Sequence, residues 1–94
     1  MTFEVLLDEE WAAPVLRRLP PSTKKQVKVG LRELRDDPFE TNPRANILRL
    51  DVDPKRDPVY RLRVGDWRLV FTREGRYVKV VRIMHREEGY GWLH

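Results

Sequence analysis

Three arginines in the second half of the chain, Arg61, Arg63 and Arg68, have the spacing of a cationic site on a β-hairpin. Along Val59-Tyr60-Arg61-Leu62-Arg63-Val64, the two-residue period of a strand puts Arg61 and Arg63 on one face and Tyr60, Leu62 and Val64 on the other. Gly65-Asp66 is a two-residue hairpin signal. Pairing centred on it sets Trp67 opposite Val64 and Arg68 opposite Arg63, while Tyr60, Leu62, Trp67, Leu69 and Phe71 fill the core face. Like charges directly opposite each other destabilise a hairpin. Their placement therefore points to an anionic partner such as a phosphate. The competing reading pairs each arginine with a carboxylate or lays it along the surface. Arg86, just past the neighbouring apolar run, is a candidate to join the patch.

Other chemistries find little support. There is no P-loop, no glycine-rich dinucleotide turn and no HExxH. His85 and His94 do not form a ligand cluster, and Glu87 and Glu88, adjacent in sequence, would point apart on a strand. The chain has no cysteine, which excludes disulfides and thiolate metal sites. Neither a metal nor a cofactor is expected.

The cationic character is concentrated. From Arg61 to Arg86 there are eight basic residues (Arg61, Arg63, Arg68, Arg73, Arg76, Lys79, Arg82 and Arg86) against Asp66 and Glu74, in a chain of net charge +4. Such a stripe is the usual electrostatic footprint of a phosphate-bearing partner. Lysines and arginines that protect strand edges from pairing give the bland alternative. At 94 residues the expectation is one domain, residues 1–94. The absence of cysteine, the acidic start MTFEVLLDEEW and the lack of any apolar run near ~20 residues favour the cytoplasm, with no membrane association.

The elements that must position these residues are legible in outline. Phe3–Leu7 reads as a short strand. Asp8 is an N-cap candidate for a helix carrying Ala12, Val15, Leu16 and Leu19, with Pro14 early and Pro20-Pro21 as its stop. Ser22 is the next cap candidate, and Val27, Leu31 and Leu34 form the apolar stripe of a second helix that ends at Asp36-Asp37-Pro38. Residues 39–46 read as a loop, Ile47–Val52 as a strand and residues 53–58 as a turn-rich connection. Strands at 59–64 and 67–71 follow, then a turn at Glu74-Gly75. The β-branched run Tyr77–Met84 fits a central strand, and the glycine-rich tail has no clear element. The order β-α-α-β-β-β-β predicts an α+β fold: an N-terminal strand, a helical hairpin and a four-stranded antiparallel meander, with the helices packed on one sheet face.

These residues also carry a family resemblance. YRLRVGDWRLVF, followed by an apolar strand and HREEGY, resembles the RelE/ParE toxin superfamily, and the likeness extends over nearly the whole chain because the helical hairpin and strand order match. That superfamily includes ribosome-dependent mRNA interferases and inhibitors of DNA gyrase. A RelE-like member implies a toxin of a type II toxin–antitoxin system that cleaves mRNA in the ribosomal A site by attack of the 2′-hydroxyl on the adjacent phosphate. Its partners would be a cognate antitoxin, the ribosome and mRNA.

Carried over by position, Arg61 and Arg63 match two basic residues of the first hairpin strand, often lysines. Arg68 matches the phosphate-binding arginine, Arg86 the arginine after the last strand, and Tyr90 the C-terminal aromatic proposed as general base. Lys55, Arg56 and Arg82 are further RNA-contact candidates, and Trp92 a stacking one. Arginine at 61 and 63 does not serve as a base, since a guanidinium keeps its proton in proteins. The base is then Tyr90 or His85; an inward-facing, structural His85 is the alternative. A non-catalytic gyrase inhibitor, a degenerate basic binding module and a small basic scaffold are the rival functions.

Overall fold

Two prolines and two glycines punctuate the chain into its elements. The computed structural model describes residues 2–50, 55 and 57–89. In order they form β1 (Glu4–Leu7), α1 (Ala13–Arg18), α2 (Pro21–Asp36), β2 (Asn46–Leu50), β3 (Val59–Val64), β4 (Trp67–Glu74) and β5 (Tyr77–His85). The α+β class, the element order and the helices on one sheet face are as the sequence predicts. The five strands make one sheet in the order β1-β5-β4-β3-β2. Strands β2 to β5 form the antiparallel meander, and β1 adds to it parallel to β5, with Val5 beside Val78 and Leu7 beside Val80. The run Tyr77–His85 is thus an interior strand, in keeping with its apolar composition.

Helix boundaries differ from expectation in two places. Asp8 caps a turn, its Oδ1 accepting the backbone N–H of Glu10 (2.9 Å) and Trp11 (2.8 Å), but regular α-helix begins only at Ala13. Ser22 lies inside α2. The cap position is Pro20, no side chain caps it, and Pro21 opens the helix with a pre-set φ and no amide needing a partner. The two hairpin turns are Gly65-Asp66 and Gly75-Arg76, one residue later than expected for the second. In each only the glycine has positive φ, +58°, the pattern of the II′ turn.

The core lies between the helices and one face of the sheet. Val27 and Leu34 of α2 meet Leu62, Leu69, Phe71, Val78, Val80 and Ile83, all nearly or fully buried. Gly30 occupies the point of closest approach. A Cβ built there would stand 2.6 Å from Cγ2 of Val64 and 3.2 Å from Cδ1 of Leu69, so only glycine lets α2 sit this close to β3 and β4. The loop between α2 and β2 is organised by Asn42, the one buried polar residue among those described. Its Nδ2 donates to the Asp37 carbonyl (2.9 Å) and to Glu33 Oε2 (3.2 Å), and its Oδ1 accepts the Arg44 amide (2.9 Å).

Candidate nucleic-acid interface

The register of the β3–β4 hairpin is the one the glycine turn dictates. Val64 pairs with Trp67, Arg63 with Arg68, Leu62 with Leu69 and Tyr60 with Phe71. Tyr60, Leu62, Trp67, Leu69 and Phe71 face the helices. Arg61, Arg63 and Arg68 project from the other face, away from the described helices α1 and α2. Beside them Val70 and Met84 are fully buried and supply an apolar floor.

Arg63 and Arg68 stand directly opposite each other, and no carboxylate of the described residues pairs with either. Among the described residues Arg68 has one hydrogen bond, from Nη1 to the Trp67 carbonyl (3.3 Å), and Arg63 has none. Arg61 is anchored differently. Its Nη1 donates to the side-chain and backbone oxygens of Asn46 on β2, at 3.2 and 3.4 Å.

A β-bulge decides what joins this face. Opposite Val70 and Phe71 of β4, strand β5 presents Arg82 and Val80, so Val81 is an extra residue. Strict alternation would carry the Val78–Val80 face on to Arg82 and Met84. Instead the bulge turns Ile83 into the core and puts Arg82 and Met84 on the arginine face, paired with Val70 and Arg68. The Arg82 guanidinium lies 4.3 Å from the ring centroid of Trp11, a half-exposed aromatic that sequence reasoning did not single out.

The same bulge removes His85 from the arginines. His85 pairs with Trp67 and meets its ring edge-on at 5.4 Å. Trp67 packs against the helix-side core, so His85 lies on the opposite face of the sheet from Arg63 and Arg68. Its Nδ1 accepts the Glu87 amide at 3.3 Å. Glu87 and Glu88 lie in a turn beyond β5, not on a strand, with the Glu88 amide donating to the His85 carbonyl (2.9 Å).

Arg86 sits at the hairpin end of the arginine face. Its amide donates to the Asp66 carbonyl (2.7 Å), and its Nε is 3.7 Å from Asp66 Oδ1, a solvent-exposed pair. Lys55 is an exposed residue of the β2–β3 connection. Arg56, Tyr90 and Trp92 lie outside the described residues.

Not all of the basic stripe belongs to the patch. Arg73 points to the helix side, where Nη1 donates to the Pro38 carbonyl (2.9 Å) and pairs with Glu40 Oε1 (3.1 Å) while the guanidinium covers the Tyr60 ring at 3.8 Å. It is a structural clamp. Lys79 pairs with Asp8 at 3.8 Å, and Arg76 lies 4.0 Å from Glu4. The amides of Trp11 and Glu10 hold the Asp8 carboxyl below the usual carboxylate range, helped by Lys79 and Arg82 against the opposing effect of desolvation.

Residues 13–90 match the family model of the ParE toxin of type II toxin–antitoxin systems, parDE. The chain belongs to that family, within the RelE/ParE toxin superfamily. Solved structures share the fold at low identity. The RelE–RelB complex of the archaeon Pyrococcus horikoshii OT3 contains a chain 20% identical, with a TM-score of 0.74, covering 95% of this chain and 100% of that one. The RelB–RelE complex of Methanococcus jannaschii gives 19% identity and 0.67 over 95% and 99%. The YoeB dimer of Staphylococcus aureus gives 12% and 0.69 over 90% and 98%. No curated protein matches the chain. Among the described residues, no helix is long and apolar enough to cross a membrane, and no cluster of metal-ligating side chains is present.

Proposed function

We propose that this toxin is a ribosome-dependent endoribonuclease, with the open sheet face as its RNA-binding and catalytic surface. One observation carries the reading: Arg63 and Arg68 oppose each other on a rigid hairpin and, among the described residues, no carboxylate pairs with them, so the face is preorganised for an anion. Groups held on paired strands are placed more accurately than groups on loops. The solved structures that share the fold, RelE and YoeB chains, are consistent with it.

In the proposed reaction the 2′-oxygen of a nucleotide attacks the adjacent phosphorus and the phosphorus–O5′ bond breaks. The products are a 2′,3′-cyclic phosphate and a 5′-hydroxyl. Arg68, assisted by Arg63, stabilises the charge that develops on the non-bridging oxygens. Arg86 acts beside the leaving O5′. Arg61, Arg82, Lys55 and Arg56 contact the RNA backbone, and Trp92 stacks on a base. The proton of the 2′-hydroxyl passes to the ionised phenolic oxygen of Tyr90, and the departing O5′ takes up a proton from solvent while Arg86 stabilises its charge. His85, on the other side of the sheet, is the weaker candidate for the base and serves instead to fix Trp67 and the turn after β5. A cognate antitoxin, as in the RelE–RelB complexes, would bind the toxin and block this face.

A second reading, inhibition of DNA gyrase without catalysis, is favoured by a specific observation. Among the described residues, the arginine face holds no imidazole to accept a proton, and the carboxylate at its hairpin end, Asp66, is paired with Arg86. Purified protein added to programmed ribosomes, with primer extension of the mRNA, separates the two. Cleavage at A-site codons that is lost in Arg68→Ala supports the nuclease. Intact mRNA together with inhibited gyrase supercoiling assigns the protein to the second reading.

A further inference from the structure

The helical hairpin is more basic than the whole chain. Residues 13–36 carry seven cations (Arg17, Arg18, Lys24, Lys25, Lys28, Arg32 and Arg35) and two acids, Glu33 and Asp36, a net of +5 against +4 for all 94 residues. Glu33 is taken up by Asn42 and Arg44, and Asp36 by Arg35. Val27, Gly30 and Leu34 occupy the sheet side of α2, and its outer side presents Lys25, Lys28 and Arg32 to solvent. With Lys24 and Pro21 these residues line a shallow concavity of about 320 Å³.

Lys24, Lys28 and Arg32 are spaced i, i+4, i+8, a row of like charges about 12 Å long on one helix face. Like charges at i, i+4 destabilise a helix. Among the described residues Lys25, Lys28 and Arg32 have neither an ion pair nor a hydrogen bond, and Lys24 donates only to the Arg17 carbonyl at 3.3 Å. The row therefore resembles the Arg63–Arg68 pair in lacking counter-charges, but it lies on the far side of the helices from the open sheet face.

We propose that this ridge is a second, non-catalytic binding surface for the phosphate backbone of structured RNA, so that the protein is held between two RNA segments. The inference rests on the reading of the chain as an RNA-directed toxin. The composition of the surface decides between RNA and an acidic protein segment. A folding-on-binding peptide needs apolar anchors at helical or strand spacing, and this concavity offers only lysines, an arginine and a proline. Phosphate recognition needs cations alone. Apolar side chains, Val29, Ala45, Leu62 and Val64, are found instead in the notch between α2 and the β2–β3 edge, beside the polar Glu33, Arg44, Asn46 and Arg63. A peptide would be expected there.

The test is the affinity of fluorescently labelled protein for purified 70S ribosomes over a salt series, with wild type, Arg68→Ala and the triple variant Lys25→Gln, Lys28→Gln, Arg32→Gln. All three positions lie on the outer side of α2, and circular dichroism should report an unchanged fold. The triple variant is expected to bind ribosomes at least tenfold more weakly, with a log–log salt slope shallower by about 2, at ~0.7–0.9 for each phosphate no longer neutralised. Arg68→Ala should lose cleavage while losing less affinity and less slope. An unchanged affinity and slope in a triple variant whose wild type binds and cleaves would overturn this proposal and leave the nuclease reading standing. Weakened binding to the antitoxin alone, with ribosome binding intact, would also overturn it by assigning the ridge to a protein. Wild type that binds no ribosome would sink both.

Discussion

The two faces of the sheet are built from the same strands and obey opposite rules. The helix-side face is apolar and closely packed, and its positive charge is neutralised: Arg73 is paired, hydrogen-bonded and stacked. The open face has an apolar floor of Val70 and Met84, but above it Arg63 and Arg68 stand opposed without a counter-charge among the described residues. On one side free energy is gained by burial. On the other, some is given up to hold cations where an anion will bind. Stability and function are thus separable by side-chain parity alone, and substitutions one residue apart should read out differently.

The largest expected effect is on the packed face. Phe71→Ala removes a fully buried ring that stacks on Tyr60 at 5.6 Å. It should cost about 3–5 kcal/mol of unfolding free energy in a denaturant titration, a large share of the stability of a domain this small. Next comes Arg68→Ala on the open face. We expect it to lower mRNA cleavage on ribosomes by on the order of 10²-fold or more, with no loss of thermal stability. Arg68→Lys should recover only part of that activity, because lysine lacks the planar fork that grips two phosphate oxygens. A variant that lost stability as much as activity would abolish the distinction between the faces.

Gly30→Ala probes how tightly the packed face is fitted. Overpacking against Val64 costs about 1–3 kcal/mol, and the gain in helix propensity returns up to about 1 kcal/mol. A net loss of around 1 kcal/mol is expected from these two terms, and net stabilisation would show that α2 has room to move away from β3. On the open face Arg63→Gln should do the reverse. Relief of the cross-strand repulsion should raise stability by about 0.2–1 kcal/mol while weakening RNA binding, as differential scanning calorimetry and ribosome affinity would register.

The smallest effect concerns Asp8, at the rim between the faces. Its carboxyl is held below the ordinary aspartate value of 3.8, so its contribution to stability is complete above that value and fades as pH falls through the lower, folded-state value. Asp8→Ala should flatten the acid limb of a stability–pH profile, whereas Asp8→Asn should retain the turn that accepts the Glu10 and Trp11 amides. An unchanged acid limb in Asp8→Ala would show that this carboxylate adds nothing to the pH dependence of folding.

Much of the open face was legible in the residues themselves. Alternation along residues 59–64 and 67–71, with a glycine turn at Gly65-Asp66, determines which side chains share a face and sets Arg63 opposite Arg68. Such pairing follows from local geometry, a period of two and a two-residue loop, and needs no long-range information. The helical stripe Val27, Leu31 and Leu34 and the stop at Pro20-Pro21 were equally local. What only the tertiary structure decided lies in β5 and in the contacts it makes. The mostly apolar run of β5 hides the extra residue Val81, because Val80 and Val81 are alike and either could face the core. That bulge moves Arg82 and Met84 to the arginine face and His85 away from it. The parallel place of β1 beside β5, the stacking of Arg73 over Tyr60 and the need for glycine at position 30 depend on segments far apart in the chain. Their signals appear in no single window of sequence, because what fixes each of them is the surface it packs against.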